Sequence, residues 1–205
     1  MSDFIKNNAQ ALTLIFFMLL AIAATFLVQG TKKPAKLRRR VSRALRSYAG
    51  LRRFAVLDNI TFELRGKPCT ADHVMVGFFG VLFVGDLVLK GDYYGELDGE
   101  TWVCNTPAKE DDFAVRVGAE PNPLLSGRAC MEAARDLCAR SGIYSLQMDC
   151  IAVNAHSKGM FLVTGGKDCT FNLRTLRGYL QRSWFSQDNG VDVQKVVRAL
   201  TGGQA

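Results

Sequence analysis

The residues of this chain whose types and spacing could do chemistry are Asp72, Asp86 and Lys90. Asp86 is the one acid in the run Val81 to Leu89, which is otherwise apolar apart from Gly85. A strand of that composition is expected to be covered on both faces. Two carboxylates, or one with a substrate phosphate, are what a hard divalent cation such as Mg²⁺ asks for. On its own, Asp72 reads as a strand-start residue accepting backbone hydrogen bonds in the turn after Pro68. Other chemistries lack their parts. The six cysteines Cys69, Cys104, Cys130, Cys138, Cys150 and Cys169 form no CxxC pair and are joined by only two histidines, His73 and His156. That argues against zinc, and both histidines read as structural. Gly165-Gly166 lacks the Lys-Ser/Thr context of a phosphate loop, and no hydrolase triad is evident. Arg174, Arg177 and Arg182 read as a solvated helix face.

The spacing around Asp72 carries more than composition does. Asp72-His73 opens one β-rich run, Gly80-Val81 opens the next, and Lys90-Gly91, Gly95 and Trp102 follow. Asn122-Pro123 then precedes a helix. With these matches, residues 38 to 164 resemble the nuclease-related domain (NERD) family, a branch of the restriction-endonuclease-like fold. In that family an Asp and the Glu of an E-x-K strand would hold a divalent metal, and the Lys would position or activate the attacking water. Here the Glu position is Gly85, the Lys position is Leu87, and the Gln of the family's N-P-x-x-Q motif is Ser126. No acid lies between Asp3 and Asp58 to supply the one usual in the first helix. The resemblance therefore implies a catalytically degenerate domain with a vestigial Asp72, acting as a binding or assembly module. An active alternative needs a β-bulge at Gly85 that turns Asp86 onto the metal-facing side, with Lys90 sharing that face if the strand continues. Such a displaced site would make the chain an Mg²⁺-dependent nuclease; otherwise no cofactor and no enzymatic activity are expected. A structural subunit of a membrane complex is a third reading.

The 205 residues leave room for one domain of about 150 residues and an anchor. Ala11 to Val28 is apolar except for Thr13 and Thr25. As a helix it would span about 27 Å, close to the hydrocarbon thickness of a bilayer. Ala21-Ile22-Ala23 superficially resembles a signal-peptidase site, but the apolar stretch is long for a signal peptide and a basic run follows it. Residues 31–57 hold ten Lys and Arg and no acid. With +7 overall, +10 in residues 31–57 and zero in residues 1–30, residues 58–205 carry −3. The high pI thus reflects charge beside the span rather than a basic domain. Positive charge after the span places the domain in the cytoplasm and the short N-terminus outside. A cytoplasmic domain keeps its thiols free.

The fold class expected from these patterns is α/β, a mixed central sheet flanked by helices, with one N-terminal transmembrane helix. Its parts are residues 1–30 (short N-terminus and span), 31–53 (basic amphipathic helix) and 54–205 (the α/β domain). In the basic helix Leu37, Val41, Leu45 and Tyr48 repeat at helical spacing. Its Lys32, Lys33, Lys36, Arg38, Arg39, Arg40, Arg43 and Arg46 are assigned to anionic headgroups, with a protein partner and nucleic acid as further candidates. Strands are expected at Ala55 to Leu64, before an Arg65-Gly66-Lys67-Pro68 turn, at His73 to Phe79, Val81 to Leu89, Phe113 to Val117, Cys150 to Val153 and Met160 to Val163. A helix is expected from Gly127 to Arg140 behind a Ser126 cap, with two more near the C-terminus.

Overall fold

The computed structural model describes residues 34–106 and 116–202. Lys32, Lys33, the apolar stretch Ala11 to Val28 and Glu110-Asp111-Asp112 lie outside those residues. Among the described residues no helix is long and apolar enough to cross a membrane.

A helix whose described part covers residues 34–50 (α1) leads into a hairpin of β1 (Ala55–Leu64) and β2 (Lys67–Gly77). The two-residue Arg65-Gly66 turn has φ of 51° and 77°. Positive φ at both central residues matches the right-handed twist of a tight hairpin. Next, β3 (Gly80–Leu87) pairs antiparallel with β2, and Gly80 makes the turn possible at φ 131°. A Cβ there would also stand 2.2 Å from the Gln147 carbonyl oxygen.

The chain then builds β4 (Asp92–Glu96), β5 (Thr101–Thr106) and β6 (Arg116–Pro121), followed by α2 (Pro123–Arg140). After it come β7 (Met148–Asn154), β8 (Phe161–Thr164), β9 (Thr170–Asn172), α3 (Leu173–Leu180), a 3₁₀ turn Ser183–Ser186 and α4 (Val193–Leu200). The single expected sheet is in fact two mixed sheets, ordered β1-β2-β3-β7-β9 and β6-β5-β4-β8. Two strands, β4 and β5, form where none is expected, in a stretch whose Gly91, Gly95 and Gly99 look like turn residues. Gly95 lies inside β4, where the Trp102 side chain of β5 packs against it. Residues 113–115 of the expected Phe113 to Val117 strand lie outside the described residues; β6 begins at Arg116.

Alternation along β3 divides the larger sheet into two packed faces. Val81, Phe83 and Leu87 join Val74, Val76, the α2 residues Leu124, Cys130, Ala133 and Ala134, and the α4 residues Val193, Val196, Val197 and Leu200. The opposite face is covered by α1, α3 and the 3₁₀ turn, where Tyr48, Tyr179 and Phe79 each meet Phe185 edge-on. In α1, Val41 and Leu45 are fully buried and Ala49 nearly so. Burying Val41 and Leu45 is worth about 1.5–3 kcal/mol each.

The β1–β2 hairpin reverses its faces halfway along. Ala55 and Leu57 sit against the α2-side core, yet farther along it is Ile60, Phe62 and Leu64 that do so. On β2 the change is from Val76 and Val74 to Ala71 and Cys69. Pairing keeps one register on both sides of the switch, Asp58↔His73 before it and Ile60↔Ala71 after it. The switch is at Asn59, whose φ of 54° rotates the strand, opposite Asp72. Asn tolerates this left-handed backbone better than other non-glycine residues. The polar residues Asp58, Asp72 and His73 all flank that point.

Helix α2 begins at Pro123, four residues before the expected start. Asn122, not Ser126, is its cap: Asn122 Oδ1 accepts the Leu124 N–H at 3.0 Å, and a proline at the first helical position is favourable.

Candidate functional site

Asp58 and His73 face each other across the hairpin, on the α1 side of the sheet. Asp86 lies diagonally beyond, two residues past Val84, the β3 partner of His73. Cross-strand geometry therefore brings two carboxylates to one imidazole. His73 Nδ1 is 2.6 Å from Asp58 Oδ1, and its Nε2 is 2.9 Å from Asp86 Oδ2. From α1, Arg46 donates to Asp58 Oδ2 at 2.7 Å and Ser42 Oγ donates to the same oxygen at 2.9 Å.

Asp72 closes the other end of the chain. Pairing between β2 and β3 ends at His73↔Val84, and Asp72 Oδ2 accepts the Asp86 N–H at 2.9 Å. The carboxylate thus stands in for a ladder carbonyl where β2 turns away. Its second oxygen, Oδ1, accepts from Arg38 at 2.8 Å. Arg38, Asp72, Asp86, His73, Asp58 and Arg46 form one connected network. With His73 protonated, three cations meet three carboxylates.

Burial decides the electrostatics. The His73 side chain is 4 % exposed and that of Asp86 is 0 % exposed. Burial pushes the Asp86 carboxyl up to about 6, against the pull of His73, and the Asp72 charge adds to the rise. Asp86 Oδ1 is buried with no hydrogen-bond partner among the described residues, so its charged form is poorly solvated. For His73, burial favours the neutral ring, but hydrogen bonds and attraction from Asp86 and Asp58 win and hold it above its ordinary 6.5. Burial also opposes charge on Asp58, yet hydrogen bonds from Arg46, His73 and Ser42 outweigh it and leave that carboxyl below its ordinary value. The buried pair of His73 and Asp86 thus retains protons that either residue would lose in the unfolded chain.

The positions carried over from the family resemblance do not converge on a reaction centre. Gly85 points to the opposite face, toward α2, where a Cβ would stand 2.5 Å from Pro123 Cβ. A longer side chain there has no room. Leu87 is buried core, and Ser126 Oγ donates to the Thr70 carbonyl. The notch lined by Asp72, Gly85, Pro123 and Ser126 has a volume of about 30 Å³, space on the scale of a water molecule. No bulge moves Asp86: β3 keeps unbroken register with β7 from Val81↔Met148 to Leu87↔Asn154. Nor does the strand continue to Lys90, which is exposed in the following turn. The donor set also does not fit Mg²⁺, because both Asp72 oxygens are engaged and Asp86 Oδ2 is held by His73. Among the described residues no group of three His, Cys, Asp or Glu is arranged to hold a metal.

A second carboxylate escaped the sequence reading. Glu120 of β6 accepts the Val88 and Leu89 N–H groups and the Tyr93 hydroxyl, and so stops β3 and turns the chain into β4. Burial, with Glu120 beside it, raises the Tyr93 hydroxyl strongly and keeps it a donor. Asn122 has a similar tying role, since its Nδ2 donates to the carbonyls of Leu97 and Gly99 at 2.9 and 2.8 Å. The six cysteines are free thiols, four of them buried. Of the arginines read as facing lipid, Arg38 and Arg46 engage the sheet as described, while Arg39, Arg40 and Arg43 are exposed. No family model, no curated protein and no solved structure matches the chain.

Proposed function

We propose that this chain is a catalytically degenerate nuclease-related domain with a restriction-endonuclease-like core, held at the cytoplasmic face of a membrane and acting as a binding or assembly module. The observation that carries the reading is the state of its carboxylates. Both Asp72 oxygens and Asp86 Oδ2 are held by structural hydrogen bonds, Asp86 Oδ1 is buried away from solvent, and Pro123 fills the space a metal-binding side chain at Gly85 would need. Among the described residues, phosphodiester hydrolysis by metal-generated hydroxide finds no ligand set to begin from.

A role in assembly is supported by the smaller sheet. Val103, Tyr94 and Leu162 lie in one row across β5, β4 and β8, and Val117 of β6 and Met160, just before β8, are also exposed. An exposed cluster of this kind marks an interaction surface more often than an isolated apolar residue does. This also favours the structural membrane-complex subunit as a second reading.

Fractionation of cells expressing the full chain tests the anchoring. The chain should stay with membranes through high-salt and carbonate washes. Release by salt alone would remove the anchor, and salt-sensitive binding to DNA or RNA would redirect the reading toward nucleic acid.

A further inference from the structure

The arginines of α1 divide into two sets with different surroundings. Arg38 and Arg46 reach the sheet and pair with Asp72 and Asp58. Arg39, Arg40 and Arg43 are exposed and make no ion pair among the described residues. Helical spacing explains the division. Val41, Leu45 and Ala49 are the stripe on the sheet, with Arg38, Ser42 and Arg46 along one flank, within reach of the carboxylates. At about 100° per residue, Arg39, Arg40 and Arg43 fall on the opposite face, Arg43 lying four positions after Arg39 and three after Arg40.

The internal charges leave the outward set uncompensated. Asp58, Asp72 and Asp86 are matched by Arg38, Arg46 and His73, so no carboxylate of the network remains for the outer arginines. We propose that Arg39, Arg40 and Arg43 form a docking surface for the phosphates of anionic lipid headgroups, while Arg38 and Arg46 are clamp residues that hold α1 on the domain and take no part in lipid binding. The proposal rests on the membrane-anchored reading above. Lipid is the occupant the chain itself favours, because only ten residues separate Val28, the end of the apolar stretch, from Arg39. Even fully extended, they reach about 35 Å. A bilayer holding that stretch tethers the outer arginines within that reach of its headgroups, so that they can come into direct contact, where the attraction is not screened.

The division turns one basic helix into two separable functions. Each arginine near an anionic surface contributes about 1 kcal/mol, so removing three should weaken the attraction on the order of 100-fold. Removing the clamp pair should instead lower the stability of the domain.

The test uses the full chain reconstituted in nanodiscs, of phosphatidylcholine alone or of equal parts phosphatidylcholine and phosphatidylglycerol. An environment-sensitive fluorescent amino acid replaces Ser47, which is exposed one turn beyond Arg43. Its emission should shift to the blue in the anionic discs and return with added salt. R39Q/R40Q/R43Q should lose the shift and keep the thermal unfolding midpoint, whereas R38Q/R46Q should unfold at lower temperature yet keep the shift below that temperature. An unchanged shift in the triple variant, or its loss only in the clamp variant, overturns the proposal. Co-flotation with vesicles separates the two levels: a chain that floats with both lipid mixtures but shows no anionic shift is anchored without this docking surface. A chain that floats with neither defeats both readings. A shift produced in neutral discs by duplex DNA, and not by phosphatidylglycerol, would make the outer arginines a nucleic-acid surface and overturn the lipid assignment.

Discussion

Replacing Asp86 by Asn should flatten the pH dependence of stability, and the direction follows from the buried network. Asp86 titrates near 6 in the folded chain against an ordinary 3.8. A carboxyl raised on folding stabilises the fold fully below its unfolded value, and that contribution is lost as pH rises through the folded value. The difference corresponds to about 3 kcal/mol, an order-of-magnitude figure for a buried group coupled to its neighbour. His73, also raised on folding, acts in the same sense from 6.5 upward. Asp58, lowered on folding, acts oppositely: its contribution is present above 3.8 and is lost as acid protonates it. The native chain should therefore be most stable at about pH 4, lose the Asp86 contribution as pH rises from there to about 6, and weaken further above 6.5 as His73 gives up its proton. In Asp86→Asn the Asp86 contribution vanishes and His73 loses one of the two partners that raise it, so the decline between pH 4 and 8 should shrink by about 2–3 kcal/mol. Urea unfolding followed by Trp102 and Trp184, the only tryptophans and both inside the domain, measures this. Parallel pH profiles for the native and Asp86→Asn chains would refute the reasoning, because they would mean that no proton is retained by this pair.

Three further outcomes are expected. Gly85→Ala should lower stability by about 1–3 kcal/mol in the same assay, because its Cβ would overlap Pro123, and a neutral effect would show that α2 can move aside. Asn122→Ala removes a helix cap together with the donor to two carbonyls and should cost about 1–3 kcal/mol, whereas Ser126→Ala should cost less, contrary to a cap at Ser126. All six cysteines lie after residue 68, so a membrane-impermeant thiol reagent should fail to label the chain in intact cells and should label it after permeabilisation under unfolding conditions. Efficient labelling of intact cells would reverse the assigned orientation.

The elements closest to the network were readable in the residues. The apolar run around Asp86 announced a strand covered on both sides, and β3 is buried at every position. Leu37, Val41, Leu45 and Tyr48 gave the helix that covers it, with Val41 and Leu45 ending fully buried. The Arg65-Gly66 turn could have yielded more. A two-residue turn pairs Leu64 with Lys67, and counting back from that pair sets Asp58 against His73. What no counting gives is the reversal of faces at Asn59, because it depends on one left-handed backbone angle rather than on hydrophobic period. That reversal puts Asp72 at the edge of the ladder, where it accepts a backbone N–H. The middle of the second sheet escaped for a different reason: β4 and β5 are only five and six residues long, and a glycine inside β4 reads as a turn until Trp102 is seen packed against it.

The central claim is that these carboxylates hold the fold together and do not cut nucleic acid. Metal-dependent cleavage tests it most directly, with the purified full chain incubated with plasmid, linear and single-stranded substrates in Mg²⁺ or Mn²⁺, beside Asp72→Asn. Asn keeps an acceptor for the Asp86 N–H, so that control should fold while losing the charge a metal would need. The account predicts no cleavage above this control under either metal. Cleavage that requires metal and disappears in both Asp72→Asn and Asp86→Asn would contradict it and establish a working site built from the same two residues.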